Sequence, residues 1–364
     1  MGQIITMSAG GIQIPLRESI IMEEENVRKE RQNSILLPTS SRKKWKKLNI
    51  ELAATKTPPP QKFIIANLPD EDGIYGLIIG PDGSRKSWLA LHFAIAKALG
   101  KPVAGGLWPA PENPGRVVYI TTEDSANVLW RRIFAIAAQP GNEDIKNLGD
   151  NLDILPISSV TLISQTPEGP KFQEDLSGLI EYAKGAKLVI LDPLAELADA
   201  DESDDRAARM LVQAIKKLSH ETGAGVIAIH HQNKNAMLNG GTSHQTGRGS
   251  SRLGAECRWA AVLQPLDQKA ADEHGVDKDD RSKWTLIHEA KANYANVDSV
   301  KSMYHYQDWM SNGGSTTPGI PLARDLNVIK KGGANNNTNS KGAKNEYAEA
   351  KGGEPDELDQ LMGL

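Results

Sequence analysis

Apolar residues fall in short unbroken runs along the middle of the chain, each followed by a stretch in which they recur every three or four positions. The runs Ile74–Ile79, Arg116–Thr121, Leu152–Ile157, Lys187–Leu191 and Gly225–Ile229 read as strands buried on both faces. The segments Trp88–Leu99, Ala126–Ala138, Phe172–Ala183 and Asp205–Glu221 read as helices. This alternation predicts an α/β fold, a mostly parallel twisted sheet with helices on both faces. Two further β-like runs, Trp259–Leu266 and Trp284–Ala290, have no long helix between them and predict an antiparallel extension at the C-terminal side of the sheet.

The flanks lack such a pattern. Residues 1–57 read as a partly disordered extension carrying Arg42-Lys-Lys-Trp-Lys-Lys47. Cations around Trp45 could hold a phosphate backbone beside a stacking ring, but a solvated basic linker is the reading adopted. The prolines following Thr57 mark a boundary, so the α/β domain is expected over 58–312 and a disordered tail over 313–364. The tail ends in an acidic-hydrophobic element, Glu354–Leu364, that could dock a partner, although an unstructured solvated end is the simpler reading.

Composition narrows the class. At 364 residues the chain can bury a large core, and no run approaches the ~20 apolar residues needed to span a bilayer. One cysteine, Cys257, excludes an intrachain disulfide and a cysteine metal cage, in keeping with a reducing cytoplasm. A net charge of −4 confines any nucleic-acid contact to local loops or a channel.

Candidate chemistry begins between the first strand and its helix. Gly80-Pro81-Asp82-Gly83-Ser84-Arg85-Lys86-Ser87 follows the phosphate-loop pattern except that Arg85 stands where a second glycine is usual. Backbone N–H groups of such a loop, with the positive end of the next helix starting near Trp88, cradle phosphate oxygens. Lys86 would reach the β- and γ-oxygens of ATP, and Ser87 would ligate Mg²⁺. Arg85 would either clash with the phosphate or add a guanidinium contact to it. Ala186–Asp192 is an apolar strand ending in a carboxylate, the form expected of a second Mg²⁺ ligand. Val117–Asp124 ends in two acids: Glu123 is placed to orient or deprotonate an attacking water or to cap the next helix, and for Asp124 capping is the preferred reading. His230 and His231 end another strand, and the loop after them holds Lys234, Arg248 and Arg252, candidates for DNA contact.

Together these residues resemble RecA-like AAA-type ATPases of the hexameric replicative helicase type, especially the plasmid RepA-like helicases and their phage relatives. The resemblance runs from about Pro58 to Tyr294 and includes Leu191-Asp-Pro-Leu194, Arg248-Gly-Ser-Ser251, Arg258-Trp259 and Lys291-Ala-Asn-Tyr294. It implies ATP and Mg²⁺ as ligands, Glu123 as catalytic base, Asp192 as metal carboxylate and His231 as sensor of the γ-phosphate. It implies Arg258, with Lys291 as companion, as a finger entering the neighbouring subunit's site. It further implies a homo-oligomeric ring, single-stranded DNA in its channel, a role in DNA replication and replication proteins as partners. A RecA-like ATP switch, or a catalytically weak assembly factor, is the alternative; Arg85 favours it.

Overall fold

The computed structural model describes residues 50–57, 60–139, 141–200, 204–233, 241–245, 247, 251–295, 300–306 and 320–323. The chain divides after Pro60. In the first unit a short helix, α1, spans Ile50–Thr55; the basic segment around Trp45 lies outside the described residues.

The second unit is built on nine strands. In chain order they are β3 (Tyr75–Gly80), β4 (Val117–Thr121), β5 (Leu152–Pro156), β8 (Leu188–Asp192), β10 (Gly225–His231), β11 (Trp259–Pro265), β12 (Trp284–Ala292), β13 (Val300–Tyr306) and β14 (Ile320–Ala323). Their order across the sheet is β14-β13-β12-β11-β3-β10-β8-β4-β5. From β11 to β5 every pair is parallel; β12, β13 and β14 add antiparallel ladders. This is the RecA-like architecture expected, extended on its antiparallel side. β14 falls in the stretch expected to be a disordered tail and is a sheet edge instead; Met303 pairs with Ala323 there. A hairpin of β1 (Phe63–Ile65) and β2 (Leu68–Pro69), and a small sheet of β6 (Ile163–Thr166), β7 (Gly169–Phe172) and β9 (Ala198–Asp199), complete the strands among the described residues.

The central strands are unbroken apolar runs because helices cover both faces, and the alternation of side chains divides the core in two. Ile78, Tyr119, Ile190 and Ile227 meet α2 (Lys86–Leu99) and α3 (Ala126–Ala137). Leu77, Val118, Val189 and Val226 meet α4 (Glu174–Tyr182) and α5 (Asp205–Thr222). On the first face Phe93, Trp108 and Trp259 pack with ring centroids 5.2–6.0 Å apart. That cluster ties α2, which carries the phosphate loop at its start, to the strand that begins with Trp259. At its other end α2 stops at Gly100, whose φ of 70° is the left-handed turn glycine adopts without steric cost. α6 (Arg252–Glu256) leads into β11, and α7 (Gln268–His274) and α8 (Lys278–Arg281) connect β11 to β12 over a separate small core of Leu266, Ala271, Val276 and Trp284.

Candidate nucleotide-binding site

β3 ends at Gly80 and α2 begins at Lys86, so the intervening loop sits beyond the carboxyl ends of the parallel strands, where open α/β sheets hold ligands. A Cβ at Gly80 would lie 2.6 Å from Ser84 Oγ and 2.8 Å from the Leu263 carbonyl oxygen, so glycine alone fits. Ser84 is fully buried and its backbone N–H donates to Pro81 O at 3.3 Å. No side chain caps α2 and no acid stands in its first turn. Its first N–H groups and the positive end of the helix dipole therefore face the loop, an arrangement that suits an anion. Lys86 Nζ donates across the loop to Pro81 O at 2.9 Å. The Trp88 ring is packed in the core, which leaves only its backbone at the site.

Arg85 stands at the second glycine position of the loop. Its backbone takes the left-handed shape of a glycine (φ 69°, ψ 31°), which costs a residue bearing a Cβ roughly 1–2 kcal/mol. Its side chain leaves the loop: Nη1 donates to Thr285 Oγ1 at 2.6 Å and Nη2 to Ser282 O at 2.7 Å. Burial lowers the guanidinium pKa.

Asp192 ends β8 and is 1% exposed. The parallel register sets Thr121 beside Asp192 and Tyr119 beside Ile190, and the Tyr119 hydroxyl donates to Asp192 Oδ2 at 2.5 Å. Burial, with smaller repulsion from Glu123 and Asp124, pushes the Asp192 pKa up to about 6 although the Tyr119 and Ser87 hydroxyls pull it down. Oδ1 is buried without a hydrogen-bond partner. An orphaned carboxylate oxygen beside a hydroxyl fits a hard divalent cation, so Ser87 and Asp192 would hold Mg²⁺. Among the described residues no three His, Cys, Asp or Glu side chains form a metal cluster, which leaves the other ligands to nucleotide and water.

His231 closes the site from β10, paired in register with Gly80. Its Nδ1 lies 2.7 Å from Asp82 Oδ1 and its Nε2 3.5 Å from Glu123 Oε1. The imidazole thus joins the phosphate loop to a carboxylate that remains 47% exposed. Asp124 is not the cap expected: the N-cap of α3 is Ser125, and Asp124 accepts two hydrogen bonds from Arg132 at 2.5 and 3.0 Å. The Arg132 guanidinium in turn lies 5.4 Å from the Trp88 ring centroid.

Arg258 and Lys291 occupy the opposite end of the sheet. The Arg258 N–H donates to Tyr75 O at 2.9 Å, at the start of β3. At ~3.3 Å per residue the loop after Gly80 is roughly 16 Å away, beyond the reach of an arginine side chain. Lys291, beside Ala260, donates to Gly254 O and Ala255 O at 3.1 and 2.7 Å.

Of the three candidates for DNA contact, Lys234 and Arg248 lie outside the described residues. Arg252 is engaged within the chain, forked onto Asp205 at 3.1 and 2.8 Å and 3.4 Å from Glu256. Two residues not foreseen act nearby. The Gln232 and Gln264 side chains both donate to Gly241 O, at 2.7 and 2.9 Å, and the Gln232 N–H donates to Gly80 O at 3.1 Å. Gln232 and Gly241 are thereby fixed to the strand ends beside the phosphate loop. Tyr119 was also missed; a tyrosine inside an apolar strand carries no sign of its partner until the register is known.

Residues 39–237 match the model of a family described as AAA domain, more than half of the chain and all of the loop, Asp192 and His231. The chain belongs to the AAA domain family. Among solved structures this family member is similar to a DnaB-like replicative helicase described with its primase interactions, at 14% identity and a TM-score of 0.47, over 80% of this chain and 74% of that one. It is similar to the RadB recombinase at 15% identity and a TM-score of 0.41, over 65% and 88%. Likenesses this distant leave function to the site itself. The family match ends before Arg258 and Lys291. Among the described residues no helix is long and apolar enough to cross a membrane.

Proposed function

We propose that the chain is a Mg²⁺-dependent ATPase that translocates on single-stranded DNA as a ring, driving the helicase reaction of DNA replication in the cytoplasm, with ATP held between subunits. One observation carries this reading: Lys86, Ser87, Glu123, Asp192 and His231 converge at one end of the sheet, while Arg258 and Lys291 stand at the other. The loop N–H groups and Lys86 bind the phosphates. Ser87 and Asp192 would hold Mg²⁺, which would supply charge neutralisation at the phosphates. Glu123, half exposed beside His231, orients the attacking water and takes its proton. His231 registers the γ-phosphate against Asp82, and Gln232 carries the change to Gly241 and the loop beyond. Arg258 of a second copy adds a cation beside Lys86 at the γ-phosphate, worth roughly 10³–10⁵ in rate. The acidic C-terminal element is assigned to replication partners.

Mixing Arg258→Ala chains with Glu123→Gln chains tests the arrangement. Neither variant alone hydrolyses ATP with DNA present, and mixtures recover activity because some interfaces join an intact finger to an intact base. Mixed assemblies, verified by sizing, that recover nothing at any ratio overturn the trans site. A second reading, an ATP-binding switch or replication assembly factor without unwinding, is favoured by Arg85 in the glycine position; nucleotide binding with no DNA-stimulated turnover would establish it.

A further inference from the structure

Arg85 contradicts the usual logic of its position in a specific way. A phosphate loop takes glycine there because the backbone must turn left-handed close to the ligand. Here the same turn is made by an arginine, and its guanidinium is held at the far side by two acceptors, Thr285 Oγ1 and Ser282 O. The first of these acceptors is firmly placed. Thr285 is fully buried in β12 and paired with both Met303 and Pro265, and neighbouring Trp284 closes the small core under α7 and α8. The residue immediately after the tether is Lys86, which opens α2 and spans the loop.

We propose that Arg85 and Thr285 are positioning residues for the nucleotide: the tether to β12 presets the left-handed turn, and with it the direction of Lys86 and the first N–H groups of α2. The inference rests on the reading of this loop as the ATP site. In an ordinary loop the turn is preset by the absence of a side chain; in this chain it is preset by the side chain's anchorage. The geometry of the phosphate cradle therefore depends on the antiparallel extension.

The test is the affinity for Mg·ADP, measured by titration calorimetry on the full-length chain, with thermal unfolding recorded for each variant. Thr285→Val keeps the shape of the buried residue and removes the acceptor; it is expected to weaken binding roughly tenfold. Arg85→Gly loses the tether but also the strained backbone, and Arg85→Ala loses the tether and keeps the strain, so affinity should fall in the order unaltered, Gly, Ala. In the Arg85→Gly background Thr285→Val should have no further effect on affinity. Should Thr285→Val unfold the chain, the Arg85 series alone decides. A direct phosphate ligand gives a different result, since Thr285→Val would free the guanidinium and leave binding equal or tighter. A merely structural contact lowers the unfolding temperature and leaves affinity unchanged. Either outcome overturns the proposal while the ATP-site reading stands; no nucleotide binding by the unaltered chain overturns both.

Discussion

Replacing Asp192 by Asn is expected to remove activity and, in the absence of metal, to relieve the folded chain of a cost that grows with pH. The Asp192 carboxyl goes from an ordinary value of 3.8 to about 6 on folding, chiefly through burial. A raised acid pKa means that the folded state holds the proton more tightly, so the contribution is fully present below pH ~4 and lost as pH rises through about 6. The whole shift is worth ~3 kcal/mol, of which ~1.4 kcal/mol is lost between about pH 5 and pH 7.5. Asn cannot ionise, so the unfolding free energy of Asp192→Asn minus that of the unaltered chain should rise by ~1.4 kcal/mol over that interval, or about 2–4 °C in Tm. The new amide sits where Oδ1 lacks a partner, which shifts the absolute level without changing the pH dependence. Urea unfolding at both pH values in metal-free buffer measures this; Mg²⁺ with ADP should then stabilise only the unaltered chain. A stability difference that is flat with pH would refute the assignment of a strained, charge-bearing carboxylate to this position.

Two further outcomes concern the same end of the sheet. Lys86→Ala removes the ammonium that bridges the loop to Pro81 O, and hydrolysis should vanish while Tm stays close to that of the unaltered chain; unchanged turnover would show the nucleotide to be elsewhere. Arg132→Ala leaves Asp124 without its fork and Trp88 without its cation, and should cost roughly 3 kcal/mol in chemical denaturation, part of which Asp124→Asn restores when added to it.

The strands and helices of the parallel part lie within one or two residues of where the apolar runs place them, because a strand covered on both faces and a helix covered on one leave unmistakable patterns in the chain. The small β6, β7 and β9 sheet left no such trace: its strands are two to four residues long and half exposed. β13, with Lys301 and His305 interrupting its apolar residues, read as nothing in particular. In the site, residues carried by local motifs were legible and those defined by long-range partners were not. Asp124 precedes a helix and looks like a cap, yet Arg132, two turns along that helix, claims it. Arg85 looked like a defect in a motif, because Thr285 stands two hundred positions away.

Under the proposed trans arrangement the two ends of the sheet would carry different halves of one reaction, and activity would depend on dilution. With Arg258 at the start of β3 and Glu123 beyond the end of β4, chains that associate through these groups do so head to tail, and an open row of them always leaves one terminal subunit with a bare phosphate loop and another with an idle finger. A lone chain would then be silent however much ATP is present, a short row would work below its nominal capacity, and only closure would bring every copy into use. Specific activity would consequently fall as the protein is diluted, with a concentration dependence steeper than first order, and that loss would be recovered by joining copies covalently in tandem.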